Sequence, residues 1–185
     1  MCAKALLVMD MANDYMPKDY YEEAKLPVEP IDEIFENIRT SLALARKHEI
    51  PIIFMADEHE KGDEEFNMYG EHCLKDSEGS NITDKLEILA GDRILRKSDA
   101  DGFSNEMLGR VLKAKEIDEI YLIGVVTNLS IKSTALSAKE RGLKSHVVKN
   151  CVSGFNSKEK GLDELEDKEI NIIDFGNLED EFSED

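Results

Sequence analysis

Glu119-Ile-Tyr-Leu-Ile-Gly-Val-Val126 runs straight into Thr127-Asn-Leu-Ser130, and then into a segment ending at Arg141-Gly142. The first stretch is the strongest strand signal in the chain, because a nearly unbroken apolar run of this length suits a strand covered on both faces. The segment from about Ser130 to Arg141 reads as a helix, and Gly142 is a good C′ stop. A buried strand feeding a helix is half of a βαβ unit, and the same alternation recurs on both sides of it.

Toward the N-terminus, Arg93-Ile-Leu-Arg96 is a brief strand. Ser104 can cap a helix carrying Met107, Leu108, Val111 and Leu112. Pro51-Ile-Ile-Phe-Met-Ala56 and Ala5-Leu-Leu-Val-Met9 are two further buried strands. Between them a polar loop runs from about Asn13 to Glu29, and Pro30 then opens a helix. Ile31, Ile34, Phe35, Ile38, Leu42 and Ala45 step along one face of that helix, which should stop near His48, before Pro51. Toward the C-terminus, Ser145-His-Val-Val148 and Ile170-Asn-Ile-Ile173 are strands five and six. A highly charged helix, Lys158 to Lys168, lies between them and is expected on the surface. Residues 176–185 form an acidic tail, expected to fray from Glu179. Strands alternating with helices predict an α/β chain: a three-layer α/β/α, Rossmann-like arrangement on a six-stranded parallel sheet. Residues 1–185 are expected to form one domain, with no internal repeat or linker.

Of the 185 residues, 41 are Asp or Glu and 23 Lys or Arg, a formal net charge of −18. That balance argues against nucleic acid and anionic membrane surfaces, which call for basic patches. No apolar run approaches the roughly 20 residues of a membrane span. Met1-Cys-Ala-Lys4 leads directly into the first strand with no signal-peptide pattern. Three widely spaced cysteines, Cys2, Cys73 and Cys151, with no CxxC, fit a reduced cytoplasmic protein.

In a parallel sheet ligands bind beyond the carboxyl ends of the strands. Asp10, Asp57, Lys97 and Thr127–Ser130 all fall there. Asp10 can act as a general base if a cation or burial tunes it, or can simply turn the chain. Lys97 is the natural cation to pair with it, although within Arg96-Lys-Ser-Asp99 it equally reads as a solvated charge. Asp57, His59 and His72 could ligate Zn²⁺, Fe²⁺ or Mn²⁺ with positions left open. His72 comes from a stretch, Asp57 to about Lys85, that has no clear period, and so long an irregular segment is usually functional. Ser130 opens a helix where backbone N–H groups favour developing negative charge. It also suits an N-cap, which its local sequence favours.

Together these residues resemble the isochorismatase-like hydrolases, and within them the nicotinamidase branch, from about residue 4 to 155. Leu7-Val-Met-Asp10-Met-Ala-Asn-Asp-Tyr15 is similar to the family's opening "hydrophobic-Asp-Met-Gln-Asn-Asp-Phe" motif, with Ala12 in place of Gln. Asp57-Glu-His59 and Tyr69-Gly-Glu-His72-Cys73 resemble the segments that supply metal ligands. Leu95-Arg-Lys97, with Phe103 beyond it, resembles the catalytic-lysine motif. Gly124-Val-Val-Thr127-Asn-Leu-Ser130-Ile-Lys-Ser-Thr134-Ala135 resembles "Gly-Val-x-Thr-Asp-x-Cys-Val-x-x-Thr-Ala".

The resemblance implies a metal-containing, homo-oligomeric amidohydrolase acting on a small amide. Asp10, Lys97 and the residue at 130 would be catalytic, Asp57, His59 and His72 would hold the metal, with zinc favoured, and a cis peptide would join Val125 to Val126 at the oxyanion site. The family's nucleophilic Cys falls on Ser130. A hydroxyl ionises far less readily than a thiol of pKa ~8.5, and no histidine lies near it in sequence. Three readings of Ser130 stay open: a Cys-to-Ser replacement made to trap a ligand, a natural serine leaving a weak enzyme or a binding protein, or an isochorismate-type hydrolase that uses no covalent nucleophile.

Overall fold

The computed structural model describes residues 3–28, 30–155 and 158–183. Six strands form one parallel sheet: β1 (Ala3–Met9), β2 (Ile52–Asp57), β3 (Arg93–Lys97), β4 (Ile117–Val125), β5 (Lys144–Ser153) and β6 (Asn171–Ile173). Their order is β3-β2-β1-β4-β5-β6, so the chain winds outward in both directions from the β1–β4 pair. That pair is the switch point, where the loops leave in opposite directions and open a crevice.

The alternation along β1 sorts the core into two halves. Leu6 and Val8 face α1 (Asp32–Lys47), whose Ile34, Phe35, Ile38, Leu42 and Ala45 are buried. Ala5, Leu7 and Met9 face the opposite cluster. That cluster takes in Leu108, Val111 and Leu112 of α3 (Glu106–Ala114), Ala135 and Ala138 of α4 (Lys132–Glu140), and Leu162 and Leu165 of α5 (Lys158–Glu166). The remaining helix before α3, α2 (Phe66–Tyr69), is a single turn in the Asp57–Lys85 stretch. Each buried Leu, Ile or Phe contributes about 1.5–3 kcal/mol relative to exposure, so both layers are needed to cover the sheet.

Four expectations are corrected. The C-terminal tail does not fray from Glu179: α6 (Leu178–Ser183) lies on the α1 side with Leu178 and Phe182 buried, four residues apart and therefore on one face. Helix α3 is capped by Asn105, whose side chain accepts from Met107 N–H, because Ser104 is already committed to the preceding turn. Helix α4 starts two residues later than Ser130. Thr127–Ile131 instead form one wide turn in which Ile131 N–H reaches back to Val126 C=O at 3.2 Å. Helix α5 is charged yet buries Leu162 and Leu165. The C′ reading of Gly142 holds, with φ +79° and its N–H bonded to Lys139 C=O at 3.0 Å.

Gly124 is fixed by contact. Its φ is +106°, and a Cβ there would sit 2.2 Å from the Met9 carbonyl oxygen, so β1 and β4 approach closely only without a side chain. Cys73 and Cys151 are buried and unpaired. No helix among the described residues is long and apolar enough to cross a membrane. Cys2 and residues 184–185 of the tail lie outside the described residues.

Candidate active site

Asp10 follows the last residue of β1, with φ +48°, a conformation that Asp tolerates better than most residues. Its N–H bonds Met55 C=O at 2.8 Å, which holds the turn against β2. The carboxylate is 1% exposed and makes no aligned hydrogen bond. Its neighbours are Lys97 Nζ, 2.9 Å from Oδ2, and the Ser130 hydroxyl. Burial raises the acid above its usual range and outweighs the opposing pull of Lys97, leaving it at about 6. Lys97 ends β3, so its surface reading is wrong: its side chain is 1% exposed. Its Nζ also lies 3.4 Å from Asp57 Oδ1. Burial opposes its charge, but Asp10 and Asp57 together hold it protonated well above the ordinary lysine range.

Asp57, at the end of β2, is shared by several groups. Tyr15 donates its hydroxyl to Oδ2 at 2.6 Å. His59 Nε2 lies 3.0 Å, and His72 Nε2 3.6 Å, from the same oxygen. Burial alone would raise Asp57, but Lys97, His59 and His72 hold it well below the usual carboxylate range.

The two imidazoles are oriented from behind. His72 Nδ1 donates to Gly70 C=O at 2.8 Å, and His59 Nδ1 faces Asp63 Oδ2 at 3.1 Å. A carbonyl or carboxylate only accepts, so each ring carries its proton on Nδ1 and turns Nε2 toward Asp57. A neutral imidazole would then point a lone pair at a carboxylate oxygen. The arrangement calls for something positive between them, either a second proton or a metal ion. Burial disfavours the proton on His59, yet Asp57 and Asp63 outweigh it and raise the ring to about 9. His72 Nε2 is buried without a hydrogen bond. Ligand atoms of Asp57, His59 and His72 all lie within 4.8 Å of one another, so these residues fit a cation with nitrogen and oxygen donors. Asp63 and Gly70 are the outer contacts that such ligands commonly have.

Asp63 and Gly70 carry no signal in the sequence, since neither belongs to a periodic element. Tyr15 was visible only as the last residue of the first motif. Asp14 is a further support: its carboxylate accepts the Cys73 N–H at 2.7 Å and so ties the His72 segment to the turn that follows β1.

Ser130 is buried at the switch point, in the wide turn after β4. The Val125–Val126 peptide is cis. Thr127 donates to Ser153 C=O at 2.8 Å, and Ser153 to Pro30 C=O at 2.7 Å, anchoring the turn to β5. Cys151 is not an alternative nucleophile. It is packed against Ser41, and burial pushes its thiol up to about 12. A cavity of about 510 Å³ adjoins the site, lined by Tyr69, whose ring meets that of His72, and by Leu129, next to Ser130. A larger one of about 910 Å³ lies at the amino ends of the strands, by Ala3 and Ile117, away from these residues.

Several known proteins are similar. The family described as "Isochorismatase domain" matches residues 4–174. The "Uncharacterized isochorismatase family protein PncA" of Bacillus subtilis (strain 168) is 26% identical over 165 residues, 84% of this chain and 88% of its own length. Nicotinamidase 3 of Arabidopsis thaliana is 26% identical over 161 residues, 83% of this chain and 75% of its own. An isochorismatase-like hydrolase from Alkaliphilus metalliredigens superposes with a TM-score of 0.90 at 24% identity, covering 98% of this chain and 100% of its own. Pyrazinamidase of Pyrococcus horikoshii, solved in complex with zinc, gives 0.83 at 23% identity over 92% and 98%. The matched span takes in the whole sheet and every residue of the candidate site, and the chain belongs to the isochorismatase family of hydrolases.

Proposed function

We propose that this hydrolase is a nicotinamidase-like amidohydrolase of small amides, with Ser130 standing where the branch carries its nucleophilic Cys. The observation that carries the reading is the Lys97 ammonium, which bridges Asp10 at 2.9 Å and Asp57 at 3.4 Å. It joins the carboxylate beside Ser130 to the Asp57–His59–His72 set, so a substrate could meet both at once. Those three residues would hold a divalent ion, with zinc favoured over iron or manganese, and bound there it supplies Lewis-acid polarisation of a substrate's polar atoms.

In this reading Ser130 Oγ attacks the amide carbon as its proton passes to Asp10. The carbonyl oxygen becomes an oxyanion held by backbone N–H groups at Val126 and Ser130. Collapse expels the amine, which takes the proton back from Asp10, and water cleaves the resulting ester by the same route. Lys97 keeps Asp10 ionised and in place. The slow element is proton removal, because a carboxylate of pKa about 6 is a weak base toward an alcohol.

A second reading, a binding protein on the same scaffold, is favoured by one observation. Both imidazoles of the site are turned toward Asp57, which leaves Ser130 without the histidine partner that activates most serine nucleophiles. Ammonia release from a panel of small amides by the zinc-loaded chain separates the two. Turnover lost in Asp10→Asn supports the amidohydrolase, while amide binding with no turnover supports the binding protein. The expected cytoplasmic location, single domain and homo-oligomeric state form part of the same proposal.

A further inference from the structure

The cavity beside Ser130 carries a charge pattern that the reaction chemistry does not explain. At about 510 Å³ it is the size of a small-molecule site. Its wall combines Met68, Tyr69 and Leu129 with three carboxylate side chains, Glu64, Glu65 and Asp99, and no Lys, Arg or His lines it among the described residues. Its place next to the chemistry is set by three links. Leu129 precedes Ser130, Asp99 lies two residues past Lys97, and the Tyr69 ring stands edge-on to His72, with centroids 6.4 Å apart. Through that ring contact Tyr69 joins the cavity wall to the buried His72 of the Asp57–His59–His72 set, so the cavity and the candidate metal site share one edge. Lys97 gives an entering anion no compensation, because its charge is held between Asp10 and Asp57.

We infer that this cavity is the substrate entrance and that it selects small amides carrying an ammonium group over amides carrying a carboxylate. The inference rests on the amidohydrolase reading and names its substrate class. Glu65 is the principal determinant: it is half-buried and close enough to Asp57, His59, His72 and Lys97 for each to act on its charge. Asp99 and Glu64 line the same wall. A cation entering between them replaces part of its hydration with carboxylate oxygens, whereas an anion meets like charges on several sides. The apolar Met68, Tyr69 and Leu129 would take the carbon skeleton.

The test is binding, measured by calorimetry on the zinc-loaded full chain with benzamide, 3-(aminomethyl)benzamide and 3-carboxybenzamide. These probes share one scaffold and differ in charge. The ammonium amide should bind at least about tenfold tighter than the carboxylate, and the ratio should shrink to within about threefold in a Glu65→Gln/Asp99→Asn variant. The variant keeps most of the chain's −18 charge, so a preference arising from the overall field would survive in it. Equal or tighter binding of the carboxylate, an unchanged ratio in the variant, or no binding of any probe overturns the inference. Charge-selective binding without ammonia release, even in Ser130→Cys, overturns the amidohydrolase reading and leaves the selection standing.

Discussion

Lys97 Nζ lies 2.9 Å from Asp10 Oδ2, with both side chains 1% exposed. A buried pair of this kind is costly to break, because removing one partner strands the other's charge away from water. Here Lys97→Met would strand two carboxylates, Asp10 and Asp57. The substitution should lower stability by about 3–5 kcal/mol, read from urea or guanidinium midpoints at neutral pH. Acidification toward pH 5 should recover part of the loss as Asp10 protonates. A change within about 0.5 kcal/mol would show that the pair carries little, as surface pairs do.

The Asp57–His59–His72 set should bind one divalent ion. Because the metal replaces protons on imidazoles raised above their ordinary range, binding near neutral pH should release protons. Zinc titration calorimetry in buffers of different ionisation enthalpy measures that release directly. Asp63→Asn should weaken binding by about 10–100-fold by removing the carboxylate charge that raises the basicity of His59. Less than about a tenth of an equivalent bound after zinc supplementation, or an unchanged affinity in Asp63→Asn, would contradict the assignment.

As the proposed base, Asp10 should set the acid limb of activity. Its folded value of about 6 is raised, so the ionised base needed to accept the Ser130 proton is lost as pH falls through that point. The kcat/KM of the zinc-loaded chain should fall about tenfold per pH unit below 6. Lys97, held protonated well above its ordinary range, adds no limb near neutrality. A profile flat from pH 5 to 7 would exclude Asp10 as the base.

Gly124→Ala should be disruptive out of proportion to one methyl group. The new Cβ meets the Met9 carbonyl oxygen at 2.2 Å and the residue sits at φ +106°, so backbone has to move where β1 and β4 meet. A loss of about 2 kcal/mol or more is expected in chemical denaturation. Tolerance within about 0.5 kcal/mol would mean that the strands separate easily there.

Much of the fold was legible because its strands are dense apolar runs bounded by polar or proline punctuation, and the sheet covers them on both faces. Three local departures from the sequence pattern share one cause: a competing contact from a distant or neighbouring segment. Phe182 looked like part of a solvated acidic tail, yet its ring meets that of Tyr121 in β4, a contact no local pattern spans, with centroids 5.1 Å apart. Ser104 looked like a cap because the turn that claims it is set by Asp101 and Thr134, the latter accepting the Gly102 N–H. Ser130 looked like a helix start, but the hydrogen bond from Ile131 to Val126 widens the turn and delays α4.

In the candidate site, residues at strand ends were readable from the sheet rule alone. The contacts that orient them were not. Asp63 and the Gly70 carbonyl come from irregular chain whose path is set by tertiary hydrogen bonds, such as the one from Cys73 N–H to Asp14. Lys97 shows the same limit, since its neighbours Arg96 and Ser98 suggest a surface position while β3 carries its side chain beneath the loops to Asp10.

On the amidohydrolase proposal, this scaffold lacks only an ionisable nucleophile at position 130. The direct measurement is ammonia release by Ser130→Cys against the unaltered chain, both zinc-loaded, over the same panel of small amides. A thiol at this turn is a far better nucleophile than a hydroxyl that does not ionise near neutral pH. The expected gain is at least about 10²-fold, equivalent to about 2.7 kcal/mol of barrier. A Ser130→Cys protein that folds, binds metal and binds amides, yet releases no ammonia from any of them, would contradict it.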